Sequence, residues 1–155
     1  MKKYKLITFL WLLAGCLSAQ NNLSALLPMP NQITQIDGKR NFEINDQTIL
    51  QTNLPNEAYC IKALNDILKE RTGQTVTRSD YPSKRSSIRL MLDPAMQGDE
   101  HYQLSVSDCA LTIIGATEGA ILYGIMTLDQ ILLGDVCLTA AGKVAPIEID
   151  DQPRF

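Results

Sequence analysis

Between Thr117 and Leu133 the sequence sets Ala120, Ile121, Leu122, Tyr123, Ile125, Met126, Leu128, Ile131 and Leu132 around a helix until almost no polar side remains. Thr117 is a good N-cap for it. A helix that is apolar nearly all round has to be covered on more than one flank. The stretch therefore predicts an interior element, with the sheet on one flank and a neighbour missing from this sequence on the other. Gly119 and Gly124 lie inside it. Each costs about 1 kcal/mol against alanine in a helix interior, and such glycines mark the close approach of another element.

The segments before this helix read as strands and one amphipathic helix. Pro28-Met29-Pro30 forces extended backbone and opens the domain. Ile33 and Ile36 flank a strand, Asp37-Gly38 turns the chain, and Phe42-Glu43-Ile44 returns, so a hairpin is expected. Thr48 to Gln51 reads as another short strand. Asn56 suits the N-cap of a helix running to about Arg71, with Gly73 as its stop. Ala58, Ile61, Leu64, Ile67 and Leu68 fall on one face of that helix, opposite Lys62, Asp66, Lys69 and Glu70. Ile88, Leu90 and Leu92 alternate with Arg89 and Met91 in a half-buried strand, and Tyr102, Leu104 and Val106 alternate likewise. Ser107-Asp108 then turns the chain so that Leu111 to Gly115 pairs back. After the second helix, Val144, Ile147 and Ile149 form a last alternating strand. This order predicts an α/β fold of the α+β type, a mostly antiparallel sheet with two helices packed on one face. Tyr102, Tyr123, Met91 and Met126 are expected as packing residues.

The first residues predict export. Lys2, Lys3 and Lys5 make a positive start and Leu6 to Ala14 a short apolar run, the pattern of a secretory signal over residues 1–19. Leu13-Ala14-Gly15-Cys16 resembles a bacterial lipobox, which makes Cys16 the lipidation site and residues 20–27 a tether. Cleavage near Ser18-Ala19-Gln20, discarding Cys16, is the other route the residues allow. The expected location is periplasmic or membrane-anchored, touching membrane only through that lipid. The three leader lysines leave 11 basic residues of 14 against 17 acidic ones, a net charge of −6. That balance argues against nucleic acid as a partner. Without Cys16, Cys60, Cys109 and Cys137 remain, an odd number. Cys60 and Cys109 sit in apolar patterns and are expected as buried free thiols. With one histidine, His101, and no Cys-x-x-Cys, no metal site and no cofactor are expected.

Catalytic residues are not evident either. Asp99-Glu100 and Asp150-Asp151 are adjacent acids, but neighbours on a strand point to opposite faces and do not converge on one substrate atom. They read as turn and strand-end acids, with Asp150 or Asp151 within reach of Arg154. His101 reads as a solvent-facing strand residue opposite Tyr102 and Leu104.

Four pieces of sequence together carry a resemblance. Leu27-Pro28-Met29-Pro30 leads into a strand, and Glu100-His101-Tyr102-Gln103-Leu104-Ser105-Val106 forms another. Leu111-Thr112-Ile113 is followed by Gly115-Ala116-Thr117, Gly119, Leu122-Tyr123-Gly124, Thr127-Leu128 and Gln130. The sequence closes on Ile147-Glu148-Ile149-Asp150-Asp151-Gln152-Pro153-Arg154-Phe155. In this order they resemble the N-terminal accessory domain of family 20 glycoside hydrolases, the β-N-acetylhexosaminidases. The resemblance implies an accessory domain over residues 28–150 and, over 151–155, the approach to a (β/α)8 barrel absent from the sequence. Asp150, Asp151, Pro153, Arg154 and Phe155 become junction residues. The implied activity is removal of terminal β-linked N-acetylglucosamine or N-acetylgalactosamine from glycans. In that family the 2-acetamido oxygen attacks the anomeric carbon, an Asp orients the amide and a Glu protonates the leaving oxygen. Those acids belong to barrel strands, so no position here inherits them. The implied partners are the barrel and, through it, the glycan. Two alternatives share the pattern less closely: the accessory domain of an O-GlcNAcase-like or α-glucuronidase-like hydrolase, and a non-enzymatic lipoprotein that binds a glycan or a partner.

Overall fold

A computed structural model describes residues 26–81, 86–133, 138–140 and 142–153. The predicted signal, Cys16, Lys84-Arg85, Cys137, Arg154 and Phe155 lie outside the described residues. In chain order the elements are β1 (Gln32–Gln35), β2 (Phe42–Glu43), β3 (Ile49–Thr52), α1 (Tyr59–Thr72), β4 (Thr77–Arg78), β5 (Ser87–Leu92) and β6 (Tyr102–Val106). They continue with β7 (Ala110–Gly115), α2 (Glu118–Leu132), β8 (Leu138–Ala140), β9 (Lys143–Val144) and β10 (Ile147–Asp151).

Seven strands form one sheet in the order β1-β10-β6-β7-β5-β3-β4, and β2-β9-β8 form a smaller one. Antiparallel pairings predominate, with the parallel ones confined to the β7-β5-β3-β4 half. Period-two alternation turns register into rows of side chains. Leu50, Ile88, Leu111, Val106 and Ile147 stand side by side across the sheet. Leu90, Ile113, Leu104 and Ile149 make the next row. Every one of these is buried. The third row, Leu92, Gly115, Tyr102 and Asp151, ends the core on a carboxylate. Gln32, Thr34, Gln103, Ser105 and Glu148 on the opposite face are exposed.

The helix 118–132 packs against β5, β6 and β7 and against α1, so the second flank expected from a missing neighbour is supplied within the domain by α1. Thr117 caps it, its hydroxyl accepting from the Ala120 N–H at 3.1 Å. Gly124 meets the expectation of close approach: a Cβ there would stand 2.5 Å from Ile113 Cγ2. Gly119 does not, since its nearest neighbour would be Thr117 Oγ1 at 3.5 Å. Met126 is a second correction. It is 53% exposed, because it sits on the side of α2 turned from the sheet.

Four further expectations change. The segments at 32–35 and 42–43 do not pair with each other. The turn at Gly38 (φ +77°) forms, but β1 pairs with β10 while β2 pairs with β9, drawing Phe42 into the core opposite Val144. Helix α1 starts at Tyr59 behind a turn in which Ala58 N–H donates to the Pro55 carbonyl. Asn56 is no cap, because its side-chain oxygen accepts from Arg78. Gly73 does end the helix, at φ 74°. Cys60 is buried, but Cys109 is exposed at the tip of the Ser107–Ala110 turn. Finally, Leu26 is only 1% exposed and Leu27 is bonded to α2, so residues 26 and 27 belong to the packed domain rather than to a tether.

Candidate functional site

The junction residues stand where the alternation of β10 puts them. Ile147, Ile149 and Asp151 face inward and Glu148 and Asp150 outward, so the two neighbouring acids part company.

Asp151 is 5% exposed. One carboxylate oxygen accepts from the Asn31 backbone N–H at 3.0 Å, and the other from the Tyr102 hydroxyl at 3.4 Å. Tyr102 and Thr127 hydroxyls lie 2.7 Å apart. A phenol has one proton to give. The arrangement that satisfies all three groups runs from Thr127 to Tyr102 to Asp151. Burial, outweighing the Thr127 contact, and the Asp151 charge push the Tyr102 phenol up to about 12. The network joins the chain ahead of β1, the sheet, α2 and the end of β10.

Asp150 occupies the outer face. Its oxygens meet His101 Nε2 at 2.9 Å and Gln103 Nε2 at 2.7 Å. The other ring nitrogen of His101 lies 3.1 Å from the Gln97 carbonyl. His101 is therefore not solvent-facing as expected; its side chain is 21% exposed and ties the 94–101 loop to β10. A Cβ on Gly98, at φ +92°, would stand 2.1 Å from Gln152 Nε2, so the same loop lies against the residue that follows β10. Asn31 also donates to the Gln152 carbonyl at 3.4 Å. Whether Arg154 pairs with Asp150 or Asp151 falls outside the described residues.

Beside the exit, Leu27, Pro28, Tyr123, Met126, Gln130 and Pro153 line a groove of about 110 Å³ that is mostly apolar. Gln130 holds one wall, accepting from Leu27 N–H and donating to Leu27 carbonyl, both at 2.8 Å. Leu27 and Met126 remain 75% and 53% exposed. Sequence reasoning missed Asn31, Thr127 and Gln130 as parts of the network and groove around Asp151. Their partners are 103 or more positions away for Gln130 and Asn31, a separation no local pattern carries. The inward face of Asp151 did have a signal, the period-two run from Ile147.

No group of three or more His, Cys, Asp or Glu side chains placed to hold a metal occurs among the described residues. None of their helices is long and apolar enough to cross a membrane. The acids at this junction are committed to holding chain segments. What the arrangement does is fix where the chain leaves the sheet.

Residues 23–152 match the family described as glycosyl hydrolase family 20, domain 2. The chain belongs to this family. A β-hexosaminidase of Porphyromonas gingivalis (strain ATCC BAA-308 / W83) is 27% identical over 137 residues, 84% of this chain and 17% of that protein. Among solved structures, the Streptomyces plicatus N-acetyl-β-hexosaminidase in complex with Thio-NAglucal superposes with a TM-score of 0.67 at 26% identity. That superposition covers 86% of this chain and 27% of the other. The β-N-acetylhexosaminidase of Bacteroides fragilis NCTC 9343 shares the fold, with a TM-score of 0.63 at 18% identity over 83% of this chain and 25% of its own. The chain thus spans about a sixth of the curated relative and about a quarter of the solved ones. The family 20 accessory domain, with its mixed α/β fold, is what the four sequence pieces resemble. The match stops at Gln152.

Proposed function

We propose that this chain is the accessory domain of an exported β-N-acetylhexosaminidase and braces a catalytic (β/α)8 barrel that follows Pro153. The observation that carries the reading is the family 20 domain 2 match over residues 23–152. The barrel would hydrolyse terminal β-linked N-acetylglucosamine or N-acetylgalactosamine, the acetamido oxygen of the substrate acting as nucleophile beside an Asp–Glu pair of the barrel. This domain contributes rigidity. Its exit is tied on both faces of β10, and the apolar groove along α2 adjoins Pro153. The exposed Leu27 and Met126 beside that groove offer an apolar contact for the barrel. The Lys-rich start and the Leu13-Ala14-Gly15-Cys16 pattern support export and a lipid on Cys16.

The test is expression of the gene product in full and assay on a chromogenic β-N-acetylglucosaminide. Release of the chromophore is expected, with the β-anomer of the sugar appearing first. A whole protein that releases no N-acetylhexosamine from β-linked substrates contradicts the proposal.

A further inference from the structure

The most buried carboxylate among the described residues has no catalytic task assigned to it. Asp151 sits at the end of a core row, 5% exposed, and its two oxygens accept from groups on two different elements. No ion pair of Asp151 occurs among the described residues. Burying a charge in this way is costly unless its hydrogen bonds are held in place. A leucine or valine in the row would fill the site without that cost. The carboxylate does something an apolar side chain could not: it fastens the last residue of β10 to Asn31, where the chain enters β1, and through Tyr102 to Thr127 on α2.

We infer that Asp151 is the positioning residue of the domain junction. It fixes the direction in which the chain leaves β10 and holds Pro153 beside the Leu27–Tyr123–Met126 side of α2, the side on which the next domain packs. The occupant is the following domain of the same polypeptide, and this rests on the reading given under Proposed function. Two observations bind exit and seat together. Pro153, two residues past Asp151, already lines the groove, and so does Asp151 itself. Asp151 reaches α2, one wall of the groove, through Tyr102 and Thr127, and Gln130 of α2 holds Leu27, the opposite wall.

The experiment uses the full-length protein, comparing wild type with Asp151→Asn and Tyr102→Phe by hydrogen–deuterium exchange mass spectrometry. Asp151→Asn keeps the size and removes the charge; Tyr102→Phe keeps the ring and removes only the hydroxyl. Asp151→Asn is expected to speed exchange about tenfold in peptides spanning residues 29–33 and 147–155. Peptides from α1 and from β5 to β7 should remain protected. Tyr102→Phe should give the same pattern more weakly. On a chromogenic β-N-acetylglucosaminide, Asp151→Asn should lower kcat by about tenfold with KM little changed, the signature of a misplaced site rather than a lost binding contact. Faster exchange spread through α1 and β5–β7 would make Asp151 a general stability residue and overturn the inference. Unchanged exchange at the junction, or local opening with kcat intact, overturns it too. A wild-type protein without glycosidase activity counts against the proposed function alone, because the exchange pattern still reads the junction.

Discussion

The two helices have nearly the same length and opposite surroundings. Helix α1 buries Cys60, Leu64 and Leu68 and turns its lysines and acids to water. Helix α2 buries Ala120, Ile121, Gly124, Ile125, Thr127, Leu128, Ile131 and Leu132. It lies between the sheet and α1, and on its remaining side holds Leu27 and the exit groove. The difference teaches which element carries the architecture. Covering α1 takes one face, whereas α2 needs the sheet, its sister helix and the N-terminal segment. Its one exposed side is the side nearest the junction.

The comparison can be broken by substitution, most severely in the core. Leu128→Ala in α2 is expected to cost about 2–5 kcal/mol in urea unfolding, and Ile67→Ala on the half-buried side of α1 clearly less. Equal costs would mean that α2 is no more central than α1. Gly124→Val should follow at about 1–3 kcal/mol or more, since its branch has no room beside Ile113. Thr117→Ala removes the α2 cap and should cost about 1 kcal/mol. Asn56→Ala should leave α1 intact by circular dichroism, because Asn56 caps nothing. Gly119→Ala has the opposite sign: its Cβ would meet only Thr117 Oγ1 at an ordinary van der Waals distance of 3.5 Å, so it should gain up to about 1 kcal/mol from helix propensity.

The last contrast appears only in alkali. Burial first, and then the Glu118 charge, push the Cys60 thiol of α1 up to about 12; burial does most of the same for Tyr102 against α2. In both, the fold favours the neutral form. Their stabilisation is fully present below the unfolded pKa values, near 9 and 10, and is lost as pH rises towards 12. Urea unfolding across pH 8–11 should show stability falling, with Tyr102→Phe flattening the upper part. Peptide mapping after alkylation at pH 8 should find Cys109 modified and Cys60 spared. A modified Cys60 would show that α1 is open.

Sequence alone made much of this legible where the information is local. The run at 118–132 and its Thr117 cap, the Gly73 stop, and the hairpin from Tyr102 to Gly115 follow from periodicity and turn chemistry. What local pattern cannot supply is the partner of a strand. Alternation says which face Ile33 or Phe42 presents, and is silent on β1 pairing with β10 and β2 with β9. The junction shows the same division. The inward aim of Asp151 follows from counting back to Ile147, while Asn31, Tyr102 and Thr127 become its network only once β10 has been inserted between β1 and β6. His101 gained its carboxylate partner by the same long-range pairing.

The central claim is that this domain serves a family 20 catalytic barrel in the same polypeptide. The most direct measurement is the hydrolysis of a chromogenic β-N-acetylglucosaminide by the whole gene product, with the anomer of the released sugar followed by proton NMR. The account predicts turnover with the β-anomer formed first. A product with no turnover, or one that releases the α-anomer first, contradicts it.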